Sequence, residues 1–197
     1  MDSPYSLVKE NDRFFILQNG VCVETPKGNK VSTVNESFAL ELLKAFENGE
    51  TYDDGTSVLA YHYSFLDFGE HARETVKTIQ ISGDPYLQLG IEAPVPIAFA
   101  AYLEENLPEH LASLPLHRVF AYFTLWTCTD SLALPFLVED IITKSENIEE
   151  DMKAFYQELR EFNLERYDYE EEDANEVTDE LIPFIETFIK YYSYKEV

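Results

Sequence analysis

The side chains of this sequence that could do chemistry are its carboxylates and four histidines, and their spacing favours binding over catalysis. None of the histidines stands in an HExxH or similar metal-ligand frame. Asp130-Ser131 offers a hydroxyl nucleophile, but no GxSxG elbow surrounds it and no motif places a histidine to act as its base. The phosphate-binding loops GxGxxG and GxxxxGKS/T are also absent. We therefore predict a non-enzymatic protein with no catalytic residue, no metal and no cofactor.

Two polar features inside apolar stretches have ordinary structural interpretations. Tyr61-His62-Tyr63 is the most site-like histidine setting, and we interpret it as an aromatic patch that holds a neutral histidine. Asp130-Ser131 is interpreted as a hydrogen bond between helices. A hydrolase or metal enzyme without a recognisable motif is the alternative, and a cleft containing His62 together with bound metal would support it.

One strip of acids is spaced to form a surface. Glu158, Glu161 and Glu165 follow steps of 3 and 4 residues, which places them on one face of a helix, beside Phe162. A solvated face is the ordinary interpretation of such a charge run. A contact surface for a basic partner is the functional one. Di-iron chemistry would need Glu-x-x-His pairs on facing helices, and these are absent.

Composition limits the class of partner. The chain has 197 residues, and its 38 acidic against 14 basic residues give a formal net charge of -24, which repels nucleic acid and anionic lipid. The start lacks a basic region followed by an apolar run, so we expect a cytoplasmic protein. We also expect a monomer, no insertion into a membrane, and reduced, buried thiols at Cys22 and Cys128.

The elements that must position these residues are organised around the apolar stretch Leu116 to Ile142. Its length and composition predict a buried central helix, and its charged residues interrupt any apolar run of the about 20 residues that would span a membrane. Pro135 predicts a kink or break near Ser131, whose hydroxyl would satisfy a freed carbonyl. The seam from Ile148 to Phe162 predicts a further helix that packs on the central one.

The sequence predicts an α+β fold with a small antiparallel β domain over residues 1–55 and a larger all-helical domain over residues 56–197. Asn19-Gly20 predicts a hairpin turn. Asn35 predicts the start of a helix that ends at Asn48-Gly49, and Asp53-Asp54-Gly55 marks the domain boundary. The predicted strands are Arg13–Gln18, Val21–Thr25 and Lys30–Val34.

The remaining predicted elements are helices. Turn residues and proline positions delimit them. They run over Val58–Phe68, over Glu70–Ile81, from Pro94 and Pro96 through Leu103 with a stop at Leu107-Pro108, and over Val177–Phe188.

Several motifs, taken in order, resemble the ATP synthase assembly chaperones of the Atp-twelve type. Gln18 to Gly49 is similar to that family's N-terminal segment, including the Thr-Pro-x-Gly motif at Thr25-Pro26-Lys27-Gly28. Leu132-Ala133 is similar to a Ser-Leu stretch in the family's central helix, and Leu159 to Tyr167 resembles its Leu-acid-Glu-aromatic-Gln-apolar-Glu-x-Trp signature. The family's Gln followed by Trp-Asp-Pro is not present between Asp84 and Pro108.

The resemblance implies a non-enzymatic chaperone that binds the unassembled α subunit of the ATP synthase catalytic head and shields its subunit interface. Under it, Glu161 and Glu165 point toward the partner and Phe162 anchors their helix. The alternative is an acidic protein-interaction module that binds another basic or aggregation-prone partner. Within the signature Asn163 replaces Gln and Tyr167 replaces Trp, and Asp168 stands where the family has Gly. The partner-binding residues implied are Glu161, Phe162, Asn163, Glu165 and Tyr167.

Overall fold

The first element of the fold is a small antiparallel sheet. The computed structural model describes residues 3–51, 57–81, 83–87, 89, 96–167, 171–195 and 197, without the side chains of 96–98, 166, 167 and 171. β2 lies between β1 on one edge and β3 and β4, which pair with different parts of the other edge. The strands are β1 Tyr5–Glu10, β2 Arg13–Gln18, β3 Val21–Cys22 and β4 Ser32–Thr33.

The predicted hairpin turn is confirmed, whereas one strand was not predicted. Asn19 and Gly20 both have positive φ, 51° and 80°, as a two-residue turn of the favoured hand requires. The strand that was not predicted is β1, which pairs with β2 along its whole length. The two later strands are only two residues long, shorter than predicted.

Helix α1 follows the sheet as predicted. It runs over Glu36–Glu47, and the Asn35 side chain accepts a hydrogen bond of 3.0 Å from the backbone N–H of Phe38. Gly49 lies just beyond its end with φ of 74°. The predicted domain boundary, Asp53-Asp54-Gly55, lies outside the described residues.

Six more helices form the rest of the described fold, and several of them differ from the prediction. Helix α2 joins the two predicted segments into one helix and ends at Val76, before Ile81. Helix α3 continues through Pro108, the predicted stop. Pro108 has no N–H to donate to the Glu104 carbonyl one turn earlier. Both residues are exposed, so water can satisfy that carbonyl. The bounds are α2 Val58–Val76, α3 Pro96–Ser113, α4 Leu116–Thr129, α5 Ala133–Lys144, α6 Ile148–Tyr167 and α7 Glu171–Ser193.

The central helix is broken near Ser131, as predicted from Pro135, into α4 and α5. Asp130 ends α4 in the left-handed conformation, with φ of 54°. Pro135 lies in the first turn of α5, where its missing N–H costs nothing. Contrary to the prediction, the Ser131 hydroxyl does not donate to a freed carbonyl. It donates a 2.6 Å hydrogen bond to the Asp84 carboxylate. Asp130-Ser131 therefore marks a helix junction.

Asp84 caps the N-terminus of α5. One of its carboxylate oxygens accepts from the backbone N–H groups of Leu132 and Ala133, at 2.7 and 2.9 Å. The Ser131 hydroxyl adds a further cap by accepting from the Leu134 N–H at 3.0 Å. A carboxylate at a helix N-terminus stabilises the helix through these donors and through the helix dipole.

We expect Asp84→Ala to lower the free energy of unfolding by about 1 to 2 kcal/mol, the usual contribution of a helix cap. The substitution leaves the Ser131 hydroxyl and the backbone N–H groups of Tyr86, Leu132 and Ala133 without their acceptor. Urea unfolding followed by circular dichroism measures the loss. Asp173→Ala, at an exposed carboxylate on α7, is the matched control. Equal losses for the two variants would refute the capping role.

A single hydrophobic core joins the sheet, α1 and the helices. Helix α4 packs against α2, α5 and α7, and it carries the fully buried Phe120 and Tyr122. Helix α6 packs on α7 and α5, so it meets the second half of the predicted central helix. The same core includes Ile16 of β2 and Phe38 of α1. The division into two domains remains a prediction, because the predicted boundary is not described.

Polar contacts also fix the Thr-Pro-Lys-Gly turn onto the helices. The Asp67 carboxylate of α2 accepts hydrogen bonds from the Thr25 hydroxyl, the Asn29 side chain and the Lys27 backbone N–H. The Lys27 ammonium lies 3.5 Å from the centre of the Phe68 ring. In this structure the motif therefore holds the N-terminal part against α2.

The expectation of buried thiols was wrong. Cys128 is exposed and Cys22 is partly exposed, and both are free. No helix in the described part of the chain has the length and apolar character needed to cross a membrane.

Candidate protein-binding surface

The candidate site lies on α6, whose buried side is set by helical periodicity. Met152, Phe155 and Leu159 are at most 6% exposed and face the core. Asn163 continues this side one turn later and is 0% exposed. The opposite side of the helix is left to solvent, and it carries the predicted acidic strip.

Glu161 and Glu165 are exposed, together with Glu158. The Glu161 carboxylate accepts a 2.8 Å hydrogen bond from the Gln157 side chain one turn earlier. That neutral contact orients the carboxylate without cancelling its charge. Neither Glu161 nor Glu165 forms an ion pair among the described side chains. Both are therefore accessible to a cation supplied by another molecule.

Phe162 and Asn163 lie on the inner side of the same turn. The Phe162 ring is partly buried and packs against Tyr86, with ring centroids 5.6 Å apart. The Asn163 side chain donates to the Thr178 hydroxyl at 3.1 Å and so links α6 to α7. These contacts hold α6 in place from beneath the acidic strip.

Asn163 is the predicted site residue whose position does not suit binding. Asn163 cannot contact a partner while α6 and α7 stay packed, because it is fully buried, so we correct its role from binding to helix pairing. The sequence pattern could have shown this, since Asn163 follows Leu159 by four residues. The Tyr167 side chain lies outside the described atoms.

The surrounding surface of α6 and α7 is strongly negative. Twelve exposed carboxylates on these helices compare with three described cations, Lys153, Arg160 and Lys190. Arg160 already pairs with Asp179 at 2.6 Å, and Lys190 pairs with Glu41 of α1. The exposed acids are Glu149, Glu150, Asp151, Glu158, Glu161, Glu165, Glu172, Asp173, Glu176, Asp179, Glu180 and Glu186.

His62, the most site-like histidine, is 0% exposed and lies in no cleft. Its Nε2–H donates to the Ser32 carbonyl at 3.0 Å, so its Nδ1 accepts from the Tyr191 hydroxyl at 3.1 Å. Burial lowers the pKa of His62 to about 4, although the Ser32 hydrogen bond opposes this in part. The predicted aromatic patch with a neutral histidine is confirmed, and its burial is complete.

A second polar cluster was not found from the sequence. Glu139 of α5 is 8% exposed, and its carboxylate accepts hydrogen bonds from His110 Nε2 at 2.8 Å and from the hydroxyls of Tyr122 and Tyr192. The one available signal is a glutamate within the apolar run ALPFLVEDII. The cluster joins α3, α4, α5 and α7 and fully occupies the carboxylate, which indicates a structural role.

Comparison with models of known protein families, with curated protein sequences and with solved structures gives no match to this chain. Among the described residues, no group of three or more His, Cys, Asp or Glu side chains could hold a metal ion.

Proposed function

We propose that this protein is a non-enzymatic assembly chaperone that binds the unassembled α subunit of the ATP synthase catalytic head through the outer face of α6. The observation that carries the proposal is the exposed pair Glu161 and Glu165, which no cation of the described chain neutralises. The resemblance of Leu159 to Tyr167 to the chaperone signature supplies the identity of the client.

The surroundings of the pair suit a docking surface. Carboxylates that are already exposed lose little hydration before a basic partner arrives, and their field steers that partner. Phe162 and Asn163 hold the helix from its inner side, which limits the ordering cost of binding. Because the charges are exposed, we expect the complex to weaken as salt rises.

The direct experiment is co-purification of this protein with newly made, unassembled α subunit, with light scattering to follow aggregation of that subunit. We expect capture of the free subunit, suppression of its aggregation, and no capture of assembled heads. Capture of a different basic protein, with no effect on the α subunit, would favour the alternative of a general acidic interaction module.

We expect Glu161→Lys combined with Glu165→Lys to weaken capture about tenfold or more, which corresponds to about 1.4 kcal/mol. The substitutions reverse two exposed charges and leave the inner contacts of Phe162 and Asn163 in place. Binding is measured by surface plasmon resonance at two salt concentrations. Glu47→Lys, at an exposed glutamate at the end of α1, is the matched control. Unchanged affinity in the double variant would remove this face from the proposal.

A further inference from the structure

A cleft beside the chain's single tryptophan lies apart from the α6 face. It has a volume of about 370 Å³ and opens between the end of α2, the Gly83-Asp84 turn and the end of α4. Trp126, Asp84 and Asp130 are among the residues that line it. Among the described residues, the lining contains no lysine or arginine.

Trp126 presents a fixed aromatic wall. The side chain is partly buried and packs against Phe123, with ring centroids 5.8 Å apart and planes inclined at 44°. The same residue also lines the cleft. An aromatic face next to carboxylates is the arrangement that attracts an organic cation, and a planar guanidinium can also stack on it.

Several of the polar atoms around this wall are hydrogen-bond acceptors, and the Gln80 amide adds both an acceptor and a donor. The Thr75 hydroxyl donates to the His71 carbonyl at 2.9 Å, and the Thr78 hydroxyl donates to the Thr75 carbonyl at 2.7 Å. Their protons are therefore used within α2, and their oxygens remain as acceptors. Asp130 is exposed, and its carboxylate makes no hydrogen bond or ion pair with the described chain. Asp84 adds negative charge while it caps α5.

We propose that this cleft binds one arginine side chain of the protein partner, with the guanidinium between Trp126 and Asp130. A guanidinium carries only donors, which suits the free Asp130 carboxylate and the threonine oxygens of the cleft. The proposal rests on the proposed function for the existence of a partner and adds the type of residue that the partner presents. The cleft itself can be tested without that partner.

The test uses the fluorescence of Trp126, which is the only tryptophan in the chain. The whole protein is titrated with Nα-acetyl-arginine amide at physiological salt, and the citrulline analogue, which has the same shape without the charge, is the matched probe. We expect a saturable change with the arginine probe, with a Kd on the order of millimolar, and none with citrulline. No saturable change, or an equal change with both probes, would overturn the proposal.

Asp130→Asn is the sharpest variant because asparagine also tolerates the left-handed conformation that residue 130 adopts. We expect it to weaken the arginine probe about fivefold or more, whereas Asp173→Asn on α7 leaves the affinity unchanged. An equal response to Nα-acetyl-lysine amide would overturn the choice of arginine. If the wild type captures the α subunit and Asp130→Asn captures it equally well, the cleft is not a client site. Failure of the subunit to bind at all would instead refute the proposed function.

Discussion

Glu139→Ala is expected to lower the free energy of unfolding by about 3 to 5 kcal/mol, the cost of removing one partner from a buried charged network. The Glu139 carboxylate is the common acceptor for His110 of α3, Tyr122 of α4 and Tyr192 of α7. Tyr122 is 0% and Tyr192 is 2% exposed, so water cannot replace the lost acceptor without opening the helix packing. Urea unfolding at neutral pH measures the loss.

The pH dependence of the same network separates charge from packing. Burial raises the pKa of Glu139, but the hydrogen bonds from His110, Tyr122 and Tyr192 outweigh it and hold that pKa below its ordinary value of 4.5. A lowered pKa means that the unfolded state takes up the proton first as pH falls. The stabilisation by the carboxylate is therefore complete above pH 4.5 and is lost as pH falls through the lowered pKa.

Glu139→Gln provides the control for that effect, because the amide keeps the shape but cannot ionise. We expect the wild type to be more stable than Glu139→Gln at neutral pH and the difference to narrow below pH 4.5, the ordinary pKa of a glutamate. A difference that stays constant across this range would show that charge does not stabilise the cluster. A loss in Glu139→Ala smaller than about 1 kcal/mol would contradict its role as a buried acceptor.

The sequence correctly predicted the turns and helix starts that neighbouring residues determine. Asn19-Gly20 specifies a tight turn through positive φ at both positions, and Asn35 caps α1 through its own side chain. Such features depend on four or five consecutive residues. The overall α+β class followed from them together with the helical periodicity of the second part.

Features that depend on contacts between residues far apart in the sequence were predicted wrongly or not at all. Strand β1 has an irregular, half-exposed pattern, and its pairing with β2 defines it. The break between α4 and α5 was predicted from Pro135, but the cap that Asp84 provides from 47 residues before Ser131 was not. The two helices predicted before and after Gly69 are one helix. A β-carbon at Gly69 would lie 3.2 Å from the Phe65 ring and 3.4 Å from Leu116, so glycine permits close packing of α2 and α4.

The candidate surface was predictable in part, because helical periodicity is a local property of the sequence. Exposure of Glu161 and Glu165 follows from helical periodicity, since the apolar seam occupies the other side of α6. A straight helix has 3.6 residues per turn, so the buried position in the last turn of the seam is Asn163 and not Phe162. The last buried position of the seam is therefore polar. The Glu139 cluster was not predictable, because its four members come from four helices.

The second large effect is expected at His62, where the folded protein excludes a proton that the unfolded chain accepts. Burial lowers the pKa of His62 from its ordinary value of 6.5 to about 4. For a base with a lowered pKa, stability is complete above pH 6.5 and is lost as pH falls from 6.5 toward 4. The expected loss is about 3 kcal/mol, since each pKa unit corresponds to about 1.4 kcal/mol.

His62→Gln tests this expectation, because glutamine can still donate to the Ser32 carbonyl and accept from the Tyr191 hydroxyl but does not ionise in this range. We expect the pH profile of unfolding free energy to be flatter for His62→Gln than for the wild type between pH 6.5 and 4, the two pKa values of His62. His71→Gln, at an exposed histidine on the same helix, should reproduce the wild-type slope. Since His62 links β4 to α2 and α7, parallel profiles for wild type and His62→Gln would mean that this junction admits the proton while the protein stays folded.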